Sequence, residues 1–219
     1  MKSWPIVSGE LAEYVDTHWL RDTPLKRRLR EETAKLPQAG MQISAHQGQQ
    51  MALLARAIGA RRVVEVGTFT GYSALCVAEA LPAGGKLWCC DVSAEWTAIG
   101  RRYWQEAGVD GKIELTIGPA LATLDGFLAK GLEGQLDLAF IDANKEDYDA
   151  YYERCLRLVR PGGLILVDNV LWSGSVANLA DKDADTAAIR ALNAKLKADD
   201  RVDLTLFAVG DGMTAALKR

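Results

Sequence analysis

Oxygen-bearing side chains stand directly after two apolar runs of this 219-residue chain, where strands of a sheet would end. Asp142 follows the run Leu136–Ile141, and Asp168 and Asn169 follow the run Leu164–Val167. Because parallel strands share the edge at which their carboxyl ends lie, these three side chains are expected to meet there. Hard cations prefer carboxylate and amide oxygens, so the set predicts a site for Mg²⁺, with Mn²⁺ or Ca²⁺ as alternatives, and disfavours zinc.

Two further side chains near this set have types that suit catalysis or binding. Lys145 follows Asp142 closely, and an amine beside bound cations gives up its proton more readily, so Lys145 is a candidate general base. Taken alone, it would be a solvated lysine at a helix start. Trp172 lies in the loop after Asn169 and can stack on an aromatic substrate, with packing as the open alternative.

A glycine turn follows the first predicted strand, in the segment E-V-G-T-F-T-G-Y-S that begins at Glu65. Its spacing differs from the dinucleotide motif G-x-G-x-x-G and from the phosphate-binding loop G-x-x-x-x-G-K-[ST], which favours a nucleoside ligand without phosphates. Gly67 would let a ligand approach the backbone, and Gly71 would allow tight packing as the next helix begins. Glu65 can accept a hydrogen bond from an amine. The alternative is that the glycines only shape the turn.

Asp91 closes the second predicted strand, beside the glycine turn. A carboxylate at this place can accept hydrogen bonds from both hydroxyls of a ribose. With Asp91, acidic groups stand at the ends of four strands of one sheet, the others being Glu65, Asp142 and Asp168. Taken alone, Asp142 or Asp168 would be a helix or turn cap and Glu65 a charge at the sheet edge, whereas the set favours a ligand site.

Short apolar runs alternate with helical patterns from Arg62 onward, which predicts parallel strands covered by helices on both sides. The fold is expected to be α/β, a Rossmann-like, doubly wound, mostly parallel sheet of seven strands that ends in an antiparallel hairpin around Gly210-Asp211-Gly212. The predicted strands are Val63–Val66, Leu87–Cys90, Ile113–Ile117, Leu136–Ile141, Leu164–Val167, Val202–Val209 and Met213–Leu217. The predicted helices span residues 71–81, 94–107, 119–130, 147–159 and 184–198.

Residues 1–60 are predicted to form a helical cap on this core, and residues 61–219 the core itself, within one domain that spans residues 1–219. Thr23 and Pro24 have the residue types that begin a helix, and Pro37 is expected to end it. A second helix is predicted from the spacing of its apolar residues, which are Met51, Leu54, Ala55 and Ile58.

The composition is that of an ordinary globular protein, with 49% hydrophobic and 25% charged residues. The net charge of −3 disfavours a nucleic-acid or membrane-surface partner, and no apolar run has the length of a membrane span. The first ten residues lack the apolar region of a secretory signal, so a cytoplasmic protein is expected.

The four cysteines lack C-x-x-C spacing and predict buried free thiols. The basic run Lys26–Arg30 predicts a solvated helix face, with contact to phosphates of a bulky substrate as the alternative.

Several motifs along the chain resemble, in order, those of one enzyme family. They are V-V-E-V-G-T-F-T-G-Y-S, C-C-D, G-P-A, F-I-D-A-N-K-E-D-Y, V-D-N-V-L-W-S-G-S-V and V-G-D-G-M-T. The chain resembles the cation-dependent O-methyltransferases of the caffeoyl-CoA O-methyltransferase family from about Tyr14 to its end, and catechol O-methyltransferases more distantly. Many members have D-A-D-K where this chain has an uncharged Asn144.

The resemblance implies S-adenosylmethionine as methyl donor, a divalent cation, a small phenolic acceptor with vicinal oxygens, and a homodimer. The donor-binding residues that it implies are Ile43, Glu65, Gly67, Thr68, Ser73, Asp91, Ala120 and Asp142. It implies Asp142, Asp168 and Asn169 as metal ligands that also serve catalysis, with Lys145 as the base.

Three alternatives stay open at the level of sequence. A nicotinamide-dependent oxidoreductase uses a related sheet, but the missing G-x-G-x-x-G motif argues against it. A non-catalytic binding protein would not need the complete polar set. An O-methyltransferase for a non-catechol acceptor, such as a hydroxamate, a CoA thioester or an antibiotic, is the third.

Overall fold

A computed structural model describes residues 9–219. Residues 1–8, which the sequence assigns to the cap, lie outside the described residues. The helices are α1 Glu10–Trp19, α2 Pro24–Thr33, α3 Ala45–Ala57, α4 Tyr72–Ala80, α5 Ala94–Glu106, α6 Ala120–Ala129, α7 Tyr148–Leu158 and α8 Ala184–Ala198. The strands are β1 Arg62–Val66, β2 Lys86–Asp91, β3 Ile113–Ile117, β4 Leu136–Ile141, β5 Val159–Val167, β6 Val202–Phe207 and β7 Met213–Lys218.

All seven strands form one sheet in the order β3-β2-β1-β4-β5-β7-β6. Strands β1 to β5 pair in parallel, and β7 runs antiparallel between β5 and β6. The predicted Rossmann-like sheet with an antiparallel C-terminal hairpin is therefore confirmed. The strand order reverses between β1 and β4, and a doubly wound sheet binds its ligand in the crevice at such a point.

The strand register places the carboxyl ends of the central strands level with one another. Val66 of β1 is the partner of Cys90 in β2 and of Ile141 in β4, and Ile141 is the partner of Val167 in β5. The residues next in the chain therefore share one edge of the sheet. They are Gly67, Asp91, Asp142 and Asp168.

Both faces of the sheet are covered by helices, so the central strands are apolar on both sides. Val63 of β1 belongs to a buried cluster with Leu75 of α4, and Val64 belongs to the cluster on the other face, with Leu124 of α6 and Tyr152 of α7. The side chains of all of these residues are fully or almost fully buried. This packing fixes the strands whose ends carry the polar residues.

The N-terminal helix α2 begins as predicted, because the Thr23 hydroxyl accepts a hydrogen bond from the Lys26 amide at 3.3 Å. It ends at Thr33, before Pro37, and residues 34–38 continue in tight turns. The buried Thr33 hydroxyl lies 2.8 Å from the hydroxyl oxygen of Thr70, in the glycine turn. The cap is therefore joined directly to the turn after β1.

Strand β5 begins earlier than predicted, at Val159 and not at Leu164. Val159 pairs with Leu136, and the register then shifts before Leu138, so the strand contains an irregularity. Residues 160–163, which lie between these two pairings, belong to the strand but have no apolar pattern. Strand β6 also differs and ends at Phe207, before the predicted Val209.

Three of the four basic side chains in the run of α2 are paired with acidic side chains, and the fourth, Arg27, is exposed. The ion pairs are Lys26–Glu79, Arg28–Glu106 and Arg30–Asp22. The four cysteines are buried and free, as predicted. Within residues 9–219, no helix is both long and apolar enough to cross a membrane.

Candidate active site

A cavity of about 780 Å³ opens at the carboxyl edge of the sheet, where the strand order reverses. Most of the residues predicted for the site line it: Ile43, Gly67, Thr68, Ser73, Asp91, Ala120, Asp142, Lys145, Asn169 and Trp172. The exceptions are Glu65 and Asp168, which are 1% and 0% exposed and do not line the cavity.

Asp91 fixes the glycine turn through backbone hydrogen bonds. Its Oδ2 atom accepts from the amide of Thr68 at 2.9 Å and from the amide of Phe69 at 2.7 Å, and Oδ1 accepts from Ser93 at 2.8 Å. Phe69 has a φ of 51°, which is unfavourable for a residue with a side chain, so the contact with Asp91 holds a strained turn. The sequence predicted a ligand contact for Asp91 and missed this positioning role.

The two glycines of the turn are required by close packing. A Cβ atom on Gly67, whose φ is 90°, would lie 1.9 Å from the carbonyl oxygen of Asp142. At Gly71 it would lie 2.5 Å from the ring of Trp104. The tight packing predicted at Gly71 is therefore present. At Gly67, the lack of a side chain leaves room for the backbone of Asp142 after β4, a requirement for glycine that the sequence did not indicate.

Glu65 lies buried beside the turn. Burial raises the pKa of its carboxyl group to about 8, and hydrogen bonds from Ser73 and Thr68 oppose this increase. The thiol of Cys89 lies 3.9 Å from Oε1 of Glu65. At neutral pH the side chain is therefore mostly protonated, and it contributes a neutral carboxyl group behind the cavity wall.

The Lys145 ammonium lies at the centre of the oxygen-rich end of the cavity. Its Nζ atom donates to Asn169 Oδ1 at 2.8 Å, to Asp142 Oδ1 at 3.2 Å and to the backbone oxygen of Ala143 at 3.0 Å. The hydroxyl of Tyr148 lies 2.6 Å away, and the Trp172 ring centroid lies 5.6 Å away. Oxygens from the ends of β4 and β5 thus converge on one cation.

This convergence bears on whether a metal ion fits. Asp142 and Asn169, two of the three predicted ligands, already contact a cation, the Lys145 ammonium, and the third, Asp168, is buried next to Asn169 in the chain. The donor set is oxygen-only, as hard divalent cations prefer. In the described part of the chain, no three His, Cys, Asp or Glu side chains form a metal cluster, so a cation here would rely on the amide of Asn169 and on further oxygens.

Asp211 holds the segment that follows β5. Its Oδ1 atom accepts from the amide of Ser173 at 2.6 Å, and its Oδ2 atom lies 3.4 Å from Nδ2 of Asn169. Asn169 itself has a φ of 58°, and its backbone N–H donates to Oδ1 of Asp168 at 2.8 Å. The hairpin turn that carries Asp211 therefore orients the Asn169 side chain toward Lys145.

Asn144, the chain neighbour of Lys145, also lines the cavity and bridges two side chains. Its Oδ1 atom accepts from the Tyr151 hydroxyl at 2.7 Å, and its Nδ2 atom donates to Asp147 at 2.7 Å. Burial raises the pKa of Tyr151 to about 12, so this hydroxyl remains a donor at neutral pH. The uncharged Asn144 thus orders the cavity wall through hydrogen bonds.

Several residues at the site were not predicted from the sequence: Tyr148, Tyr151, Asp185 and Asp211. The two tyrosines lie in the helix predicted over residues 147–159, to which no role at the site was given, and Asp211 was assigned only to the hairpin turn. Burial and nearby carboxylates, chiefly Asp142 and Asp168, raise the pKa of Tyr148 well above its usual range. A hydroxyl on an otherwise apolar helix face, three residues after a candidate base, was the signal available.

The fold is that of the Rossmann-like α/β class, and its cavity lies at the strand reversal, where proteins of this class bind their ligands. The family model described as O-methyltransferase matches residues 16–219. The chain therefore belongs to the O-methyltransferase family and is an O-methyltransferase. This membership is at odds with the oxidoreductase and non-catalytic alternatives.

Comparisons with individual proteins are consistent with this family assignment. Catechol O-methyltransferase domain-containing protein 1 of Mus musculus is 42% identical over 214 residues, which cover 98% of this chain and 82% of that protein. Caffeoyl-CoA O-methyltransferase 2 of Zea mays is 44% identical over 217 residues, which cover 94% and 82%. The O-methyltransferase TomG from Streptomyces achromogenes, solved in complex with SAM, superposes with a TM-score of 0.84 at 31% identity and 94% coverage of both chains.

Proposed function

We propose that the enzyme transfers a methyl group from S-adenosylmethionine to one hydroxyl of a vicinal-diol phenol, with a divalent cation, Mg²⁺ by preference. The observation that carries this proposal is the convergence of Asp142 and Asn169 oxygens on the Lys145 ammonium, within the cavity that the glycine turn lines. A cation site and a nucleoside site in one cavity suit a transfer between two bound molecules.

The donor would lie along the glycine turn. Ile43, Gly67, Thr68 and Ser73 line the part of the cavity suited to the methionine portion, with Glu65 buried behind them. Asp91 has a lone pair left after its three backbone contacts and would accept from the ribose. Ala120 would lie by the adenine. The SAM complex of TomG, which is 31% identical, supports this donor.

The acceptor would lie at the oxygen-rich end, with its ring near Trp172. Asp142, Asp168 and Asn169 would hold the cation, which when bound would acidify one hydroxyl and fix the neighbouring oxygen. Lys145 would accept the proton of the reacting hydroxyl once its own ammonium has been deprotonated, or, as the ammonium, it would steady the phenolate. The bond between the sulfonium sulfur and the methyl carbon breaks as the oxygen–carbon bond forms, which leaves a thioether and a phenol ether.

The charges of the cavity favour an acceptor without phosphates or carboxylates. Among the described lining residues, Lys145 is the only basic side chain, whereas the acidic ones are Asp91, Asp142, Asp185 and Asp211. A CoA thioester would find no second basic residue in this lining to pair with its phosphates. A free catechol or a flavonoid is therefore preferred over the acceptor named for the maize relative.

A matched pair of acceptors tests the proposal. Catechol and its monomethyl ether differ only in whether two adjacent hydroxyls are free, so methyl transfer from S-adenosylmethionine with Mg²⁺ should be detected by mass spectrometry for catechol alone. Equal methylation of both compounds would contradict the chelating role of the vicinal oxygens. Transfer to a hydroxamate but not to any catechol or flavonoid would support the non-catechol alternative.

We propose further that the chain is one domain, with residues 1–60 as cap, and that it forms a homodimer. The dimer is supported by exposed apolar side chains of the cap: Tyr14 and Trp19, whose ring centroids lie 5.9 Å apart, and Leu53, which lines a second cavity with Trp19. Analytical ultracentrifugation should give a two-chain mass that Leu53→Lys reduces. A one-chain mass for the wild type would contradict the dimer.

A further inference from the structure

The segment between β5 and α8, residues 171–182, forms one wall of the acceptor end of the cavity, and we name it the acceptor loop. Trp172, Ser173 and Ser175 of this loop line the cavity. The loop has no strand or long helix of its own, apart from a short turn over Trp172–Ala177. Its shape therefore depends on contacts with its neighbours.

The backbone of the acceptor loop is strained where it faces the cavity. Trp172 has a φ of 47° and Ser173 a φ of 52°, and Gly174 follows with 91°. Residues with a side chain rarely adopt this left-handed conformation, and they keep it only where surrounding contacts enforce it. Asp211 enforces it on one side through the Ser173 amide.

Arg190 of α8 binds the other side of the loop through four backbone carbonyls. Its Nε donates to Val176 at 3.0 Å, Nη1 to Asp181 at 2.8 Å, and Nη2 to Ser175 at 2.8 Å and also to Asn178. Asn193, also on α8, donates to the backbone oxygen of Val170, just before the loop, at 2.8 Å.

The planar guanidinium is the group that this arrangement needs. Its five N–H donors point outward in fixed directions, so one side chain can bind carbonyls that are spread around a turn. A lysine has the same charge but no such fork. The half-buried Arg190 thus ties the loop segment that lines the cavity to the rigid helix α8.

We propose that Arg190 is a positioning residue for the methyl acceptor, because it fixes the loop that carries Trp172 and Ser173. The acceptor role of this loop rests on the proposed function, whereas the tie between Arg190 and the loop does not. Loss of the guanidinium releases the loop, so the acceptor is placed less accurately while the donor, on the far side of the cavity, is held as before. An acceptor misplaced by about 1 Å reacts about 100-fold more slowly.

The test compares Arg190→Met and Arg190→Lys with the control Arg157→Met, whose guanidinium pairs with the exposed Glu133 at 3.0 Å. Hydrogen exchange of peptides that cover residues 171–182 reports the loop without any need for turnover. Calorimetry with S-adenosylmethionine reports donor affinity, and steady-state kinetics with catechol and Mg²⁺ report kcat and KM for each substrate.

Both Arg190 variants should exchange the loop amides at least about 10-fold faster, raise the KM for catechol and lower kcat/KM by about 100-fold, with donor affinity unchanged. Arg157→Met should behave as the wild type. Unchanged loop exchange, or full activity of Arg190→Lys, would overturn the inference, as would a freed loop with unchanged catechol kinetics. If the wild type methylates no catechol, the proposed acceptor class fails, and faster loop exchange still establishes the tie to Arg190.

Discussion

The Lys145 ammonium lies 2.8 Å from the Oδ1 atom of Asn169, a residue 24 positions later in the chain. Lys145 follows β4, and Asn169 follows β5, so this contact joins the carboxyl ends of two parallel strands. It also marks the point at which the proposed cation site, the candidate base and the acceptor loop meet. The chemistry that we propose depends on this point.

Substitution of the candidate base should affect turnover far more than donor binding. In Lys145→Met the amine is lost while the glycine turn is untouched, so kcat for catechol should fall by about 100-fold to 10,000-fold. Calorimetric affinity for S-adenosylmethionine should stay close to the wild-type value. Lys195→Met, which removes an ammonium paired with Asp149 and Glu153 on the protein surface, is the control. A Lys145→Met enzyme with wild-type kcat would show that another group accepts the proton.

Substitution of Asp91 should weaken donor binding through the glycine turn. In Asp91→Asn, an amide NH₂ replaces one oxygen that accepts backbone N–H groups, so at least one amide among Thr68, Phe69 and Ser93 loses its partner. A lost buried hydrogen bond of this kind costs about 1–3 kcal/mol, which corresponds to donor affinity about 5-fold to 150-fold lower. Calorimetry measures the effect, and unchanged affinity would argue against both the positioning and the ribose roles.

Alanine substitutions at two glycines with similar φ angles distinguish the cost of atomic crowding from the cost of backbone strain. Gly67 and Gly131 have φ values of 90° and 77°, but only at Gly67 would a Cβ meet another atom, the carbonyl oxygen of Asp142. Gly131→Ala should cost about 1–2 kcal/mol of unfolding free energy from backbone strain alone. Gly67→Ala should cost at least about 2 kcal/mol more, because β4 must move. Urea unfolding measures both, and equal losses would mean that the packing against Asp142 is unimportant.

Glu65 should make stability depend on pH. Its pKa is raised by burial from the ordinary value of 4.5 to about 8, so the folded protein keeps a proton that the unfolded chain releases. The free energy of unfolding that this bound proton contributes is therefore fully present below pH 4.5 and is lost as the pH rises to about 8. Glu65→Gln removes this dependence, so its unfolding free energy should gain on that of the wild type between pH 5 and 8. Parallel curves for the two proteins would show that Glu65 is ionised throughout.

The residues at the strand ends could be predicted from the sequence because apolar runs and strand polarity are local signals. Asp91, Asp142 and Asp168 were placed at one edge on that basis, and the strand register agrees. The contacts between distant segments could not be predicted. The bonds of Arg190 to the acceptor loop and of Asp211 to Ser173 arise only when the helix and the hairpin pack beside β5. The early start of β5 was missed because residues 160–163, which follow Val159, have no apolar pattern.

The most direct test of the central claim is the rate of methyl transfer from S-adenosylmethionine to catechol before EDTA treatment, after it, and after Mg²⁺ is restored. We expect EDTA to lower the rate by at least about 100-fold and Mg²⁺ to restore it. Asp168→Asn should remain slow with Mg²⁺, whereas Asp203→Asn, at the exposed pair with Arg219, should match the wild type. Full transfer by EDTA-treated wild-type enzyme and by Asp168→Asn would contradict a cation-dependent mechanism at this site.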